Sequence, residues 1–204
     1  MSANRLSCAM DKKTFIDMDA GFANGIKQWA GSKKFEQIGL VLAHCTDNII
    51  TPVDFLTNKE FEKEVSDEDL KEVAFEQIFL PQMKGSGMPI EMMRMFFEQA
   101  VKLGGLRTGL TAWNEEAVLE EIIRAKEKGL NTAIPFHSHT IDVHKQIKLG
   151  EVDMKSFRQW NEQGKKINMA IPSGIAKIND INTWRVDDSE RCRFLPIRID
   201  GKTL

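Results

Sequence analysis

Two of the chain's four histidines stand two apart in "PFHSHT", residues 135–140, at the end of an apolar run. On a β-strand, residues i and i+2 point to the same face, so His137 and His139 would present two imidazoles side by side. Such a pair is a natural beginning for a metal site, and catalytic zinc needs three protein ligands and one open position. "LGEVDMKSF", 149–157, offers Asp153 at the start of a helix as a third ligand. Asp142 and His144 lie nearer, in the intervening loop, and either could take that place. An ordinary reading stands beside each: two hydrogen-bonded imidazoles at a strand end, and an acidic residue in a first helical turn where the helix dipole favours it. A water on zinc also needs a base. Glu36 opens the apolar segment "EQIGLVLA", where packing alone does not call for a carboxylate.

The elements that would position these groups can be read from periodicity. Phe15, Met18, Phe22, Ile26 and Trp29 recur at steps of three and four and imply a helix over 14–30, ended by "GSKK". "FEQIGLVLAHC", 35–45, reads as a buried strand, and "NIITPVDFL", 48–56, as an edge strand or the second arm of a hairpin. Residues 57–110 change character. An acidic helical stretch with Ser66 as a cap is followed by the turn-forming "PQMKGSGMP" and by the Met-rich "IEMMRMFFEQAVKLGG". A Met stripe at helical spacing suits a core, or an adaptable surface for a partner. Asn114 then caps a helix that ends at Gly129, with Val118, Leu119, Ile122 and Ile123 as its buried stripe. A strand through "LNTAIPFHSHT" follows, and a helix over about 153–163 with Met154, Phe157 and Trp160 on one side. "KINMAIPSG", "INTWRV" and "RFLPIRI" read as closing strands. The fold class is therefore α/β: one domain over 1–204 with a mixed sheet, helices packed on its faces and a helical insertion at about 57–110.

Composition narrows the function classes. The chain has 204 residues, 42% hydrophobic and 28% charged, with net charge −2. That balance is globular and gives no basic surface for nucleic acid or an anionic membrane. No apolar run approaches the roughly 20 residues that span a bilayer, and the first residues lack the apolar core of a secretory signal. Cys8, Cys45 and Cys192 are widely spaced and read as free thiols. These features together imply a cytoplasmic protein.

Taken in order, the motifs resemble the JAMM (JAB, MPN+) metallopeptidases. Glu36 with "QIGLVLA" is similar to the family's E-x-x-G-L opening. "PFHSHT" resembles its H-[ST]-H strand end, "GEVD" its S-x-x-D segment, and "INMAIPSGIAKINDINTWRVDD" its closing strands. The likeness covers about 14–56 and 112–199 and leaves out 57–110. It implies a JAB/MPN-like domain, layered like cytidine deaminase. It also implies zinc held by His137, His139 and Asp153, and Glu36 as general base. The activity implied is hydrolysis of an isopeptide or peptide bond at the C-terminal tail of a ubiquitin-like or other small protein. Gly150 stands where the family has its serine, and Thr140 where it has a proline. Loss of that serine also fits a non-catalytic member of the fold that serves as an interaction scaffold. "HSHT" further resembles the histidine box of PHP-type phosphoesterases, but those need more histidines, and only His44 lies outside the cluster.

Overall fold

The computed structural model describes residues 10–32, 37–63, 67–83, 85–102, 112–139 and 149–203. Its centre is a curled, mixed nine-stranded sheet. Strand β1 (Phe15–Met18) leads into α1 (Ala20–Gly31). Strands β2 (Ile38–Thr46) and β3 (Ile49–Leu56) form a hairpin. Asp47 and Asn48 both have positive φ, the conformation that a two-residue hairpin turn requires. A 3-10 turn (Lys59–Phe61) and β4 (Glu62–Lys63) open the insertion, followed by α2 (Asp67–Ala74), a π-helical turn (Phe75–Phe79), α3 (Leu80–Met83) and α4 (Ile90–Lys102). Strand β5 (Ala112–Trp113) closes it by pairing with β4. Next come α5 (Glu115–Glu127), β6 (Thr132–Ser138), α6 (Glu151–Ile167), β7 (Ser173–Lys177), β8 (Asp180–Val186), β9 (Cys192–Leu195), β10 (Ile197–Ile199) and β11 (Lys202–Thr203). The order across the sheet is β11-β10-β1-β3-β2-β6-β7-β8-β9.

Alternation along the central strands divides the core between two faces. Val41 and Ala43 of β2 and Ile134 and Phe136 of β6 pack with Ile26 and Ala30 of α1. Ile38, Leu40 and Leu42, with Ala133, face the other way onto Val118 and Ile122 of α5 and Trp160 of α6. Odd-numbered residues of β6 therefore face α5 and α6, and His137 is one of them. β6 and β7 run parallel, so α6 supplies the crossover that a parallel pair needs. The open end of such a unit lies beyond the C-terminal end of the strand, where ligand sites of α/β sheets collect.

Three local expectations are corrected. Residues 14–30 do not form one helix: Phe15 and Met18 belong to β1, and the Asp19 carboxylate caps α1 by accepting the Phe22 N–H. Steps of three and four happened to join a strand and a helix into one apparent stripe. "RFLPIRI" is two strands rather than one, because Pro196 has no N–H to give a ladder. β9 ends on one margin of the sheet and β10 begins near the other, beside β1. One residue cannot cross a flat nine-stranded sheet, so the sheet curls until its margins meet at Pro196. Third, Cys45 is disulfide-bonded while Cys192 is free, which removes the thiol argument for a reducing compartment. Among the described residues no helix is long and apolar enough to cross a membrane. The Ser66 cap lies outside the described residues.

The insertion carries its own small cluster, with Phe75, Met93 and Phe97 buried among Phe79, Met83 and Val101. Arg94 lies over the Phe75 ring at 4.3 Å and pairs with Glu72. The Met-rich helix is divided between core and surface: Met93 and Phe97 are buried, while Ile90, Met92, Met95 and Phe96 are exposed.

Candidate metal centre

β6 delivers the two histidines and α6 delivers the carboxylate. His137 pairs with Ile38 of β2 on one side and Ile175 of β7 on the other, so its backbone is held in mid-sheet. The backbone N–H of His139 donates to the Ala176 carbonyl at 2.9 Å, which carries the extended geometry one residue past the strand. Ser138 points to the opposite face and fastens the junction. Its Oγ accepts the Gln37 N–H at 2.8 Å, and its own N–H donates to the Gln37 carbonyl at 2.9 Å.

Asp153 sits in the first turn of α6, where the helix dipole favours an anion. Its Oδ2 accepts the Gly150 N–H at 2.7 Å. Glycine has no side chain to return a bond, so this is half of a capping box. The bond turns the carboxylate so that Oδ1 faces β6. Phe157 and Trp160 follow Asp153 at helical steps of four and three, on the same face, and both are buried. Burying an aromatic side chain such as Phe157 is worth roughly 1.5–3 kcal/mol, which anchors the carboxylate's helix against the sheet.

The three ligand atoms form a triangle. His137 Nε2 lies 3.0 Å from His139 Nε2 and 3.0 Å from Asp153 Oδ1, and His139 Nε2 lies 3.7 Å from the same oxygen. The side chains are only 9%, 23% and 14% exposed. Lone-pair atoms this close need a positive particle among them, a proton or a metal cation. Zinc–nitrogen and zinc–oxygen bonds of about 2.0–2.1 Å put the corners of a tetrahedron ~3.3 Å apart, within the range of this triangle's sides. Two imidazoles and one carboxylate also suit a transition metal better than magnesium or calcium, which prefer all-oxygen shells. The group therefore could hold a metal ion. Burial pushes the Asp153 carboxyl up, but hydrogen bonds to His137 and His139, the charge of His137 and the Gly150 N–H together hold it below the ordinary carboxylate range. It is an anion wherever the protein is folded near neutral pH.

Of the residues picked from sequence, the structure brings together His137, His139 and Asp153. Glu36, Asp142 and His144 lie outside the described residues. His44 is exposed and stands six residues along β2 from Ile38, about 20 Å at the rise of a strand. It cannot join the cluster, which removes support for a histidine-rich polymetal site. Two clefts, one beside Asp17 and Asp200 and one beside Arg185 and Phe194, include none of the three ligands.

One neighbour was missed from sequence. Trp113 of β5 meets the His137 ring in a T-shaped contact, with centroids 6.3 Å apart. The available signal was its place just before the cap Asn114, five residues before the apolar Val118 at the fourth helical position. That is the spacing of a hydrophobic staple.

Fold and site together define an α/β protein with a His₂Asp group able to take a metal cation. The chain matches no family model and no curated protein.

Proposed function

We propose that the chain is a zinc-dependent hydrolase of the JAMM type, cleaving an isopeptide or peptide bond in the C-terminal tail of a ubiquitin-like or other small protein. The observation that carries this reading is the triangle of His137 Nε2, His139 Nε2 and Asp153 Oδ1, with sides of 3.0, 3.0 and 3.7 Å. It arises from an H-S-H strand end and a G-x-x-D helix start, in the order of that family's motifs. A zinc ion held there supplies a Lewis acid that makes a water acidic near neutral pH.

The chain's own groups account for the remaining work. Glu36 precedes Gln37, and Gln37 is tied on both sides to Ser138, the residue between the two histidines. Glu36 takes the proton of the attacking water and hands it to the leaving amine. The exposed Ile90, Met92, Met95 and Phe96 of the insertion support a role in recognising the protein part of the substrate.

Gly150 favours a second reading, a non-catalytic scaffold on the same fold. It has no hydroxyl to stabilise an oxyanion, and its N–H already serves Asp153. Loss of one oxyanion donor costs on the order of 10²–10³ in rate in a well-studied protease. The test is Glu36→Gln, assayed on tail-fused ubiquitin-like substrates with zinc content measured alongside. The hydrolase reading expects turnover to vanish while zinc stays bound, because an amide cannot accept the proton. Turnover equal to wild type contradicts the mechanism. No turnover in either protein, with zinc bound, favours the scaffold. Gly150→Ser adds a discriminating arm, because a rise in rate marks a hydrolase short of one donor. The new Cβ would lie 3.2 Å from Asp153 Oδ2, so the carboxylate must give by a few tenths of an ångström.

A further inference from the structure

We infer that Trp113 is a positioning residue for His137, holding the imidazole at the angle that aims Nε2 toward Asp153. This rests on the metal centre proposed above and extends it to a residue contributed by the closing strand of the insertion. A metal-ligating histidine ordinarily donates its second ring N–H to a carboxylate or carbonyl, which fixes both tautomer and orientation. Among the described residues His137 has no such partner. Its Nδ1 is buried and has no hydrogen-bond partner among the described residues. Rotation of an imidazole about its last torsion lies in a broad well, so an unbonded ring needs packing to hold it.

Trp113 and Phe157 supply the packing. Trp113 stands at 82° to the His137 ring, and Phe157 lies 6.2 Å from it at 55°. Phe157 is braced within α6. Trp113 packs on the same helix, 5.4 Å from Trp160 at 69°, and is also held from outside it. Its backbone pairs with Glu62, and the next residue, Asn114, donates its N–H to the Phe61 carbonyl at 2.8 Å. Asn114 then caps α5. An indole held by a ladder on one side and a helix cap on the other is a stiff wall for the imidazole. A single side chain of β5 therefore couples the base of the insertion to the metal centre.

The experiment uses the full chain. Wild type, Trp113→Leu and Trp113→Phe are stripped of metal, checked by circular dichroism, and titrated with zinc and with cobalt(II). The visible cobalt spectrum reports ligand geometry. Leucine keeps apolar volume without a flat ring, whereas phenylalanine keeps the ring. Trp113→Leu is expected to lose about 10-fold in affinity, the lower end of what loss of an outer partner costs, and to change the cobalt band. Trp113→Phe is expected to keep the wild-type band. A Leu variant that binds as tightly as wild type with an unchanged band overturns the inference and leaves the metal centre standing. A wild-type protein that binds neither metal overturns the metal centre, and this inference with it.

Discussion

Each oxygen of Asp153 faces a different neighbour, and that division governs what a substitution does. Oδ2 holds the Gly150 N–H at 2.7 Å, while Oδ1 faces both imidazoles. Asp153→Asn keeps a carbonyl for the cap but removes the anion. Zinc affinity is expected to fall by more than the roughly 10–100-fold that outer partners cost, measured by competition with a chromogenic chelator. The metal-free protein should show the same carboxylate through pH. Its folded pKa is depressed, so ionised Asp153 contributes stability above the unfolded value of about 3.9. That contribution is lost as pH falls through the lower folded value. The stability advantage of wild type over Asp153→Asn should therefore be full near neutrality and shrink below about pH 4, followed by urea unfolding at several pH values. An advantage that stays undiminished in strong acid would contradict a carboxylate stabilised by the fold.

The strands β2, β6 and β7 act as one platform, and two glycines let it close. An ideal Cβ on Gly174 would lie 2.1 Å from Cε1 of Phe136, its direct cross-strand neighbour. One on Gly39 would lie 2.7 Å from the Phe55 ring and 3.1 Å from Trp29. Gly174→Ala is expected to destabilise the protein by about 1–3 kcal/mol through overpacking, read from the urea midpoint. An unchanged midpoint would mean that the Phe136 ring has room to move. The glycine of the E-x-x-G-L segment thus has a packing reason independent of any motif, because it makes space for two aromatic rings under the hairpin. Much of this platform was legible in sequence. Period-two spacing put His137 and His139 on one face, and Asn114, Gly129 and the Asp153 turn marked helix ends through local hydrogen bonds. The division of residues 14–30 was not legible, since a four-residue strand beside a helix reproduces helical steps.

For the whole molecule, the closure at Pro196 and the insertion were out of reach of local reading. Nothing in "RFLPIRI" tells that Leu195 pairs with Thr183 while Ile197 pairs with Ile16. That placement follows from the accumulated curl of nine strands. The insertion was legible as a change of composition, yet its link to the site through Trp113 depends on a ladder between residues fifty apart in sequence. Its cluster of Phe75, Met93 and Phe97 is separate from the clusters on the main sheet. Replacing residues 64–111 by a short flexible linker, with β4 and β5 retained, is therefore expected to leave zinc binding intact and to abolish capture of a ubiquitin-like partner, compared by calorimetry. Full partner binding in that variant would contradict the recognition role. Cys192 offers a further check on the packing of β9 against α6. Burial raises its thiol above the ordinary range, so alkylation at pH 8 should be slower than for a free cysteine, mapped by mass spectrometry. Labelling at the rate of free cysteine would show that this edge is open.

Whether His137, His139 and Asp153 form one metal centre is decided by elemental analysis of the purified chain beside His137→Ala and the His137→Ala/His139→Ala double variant. One zinc per chain is expected in the wild type and none in either variant, with all three proteins folded by circular dichroism. Stoichiometric zinc retained in the double variant would contradict such a centre.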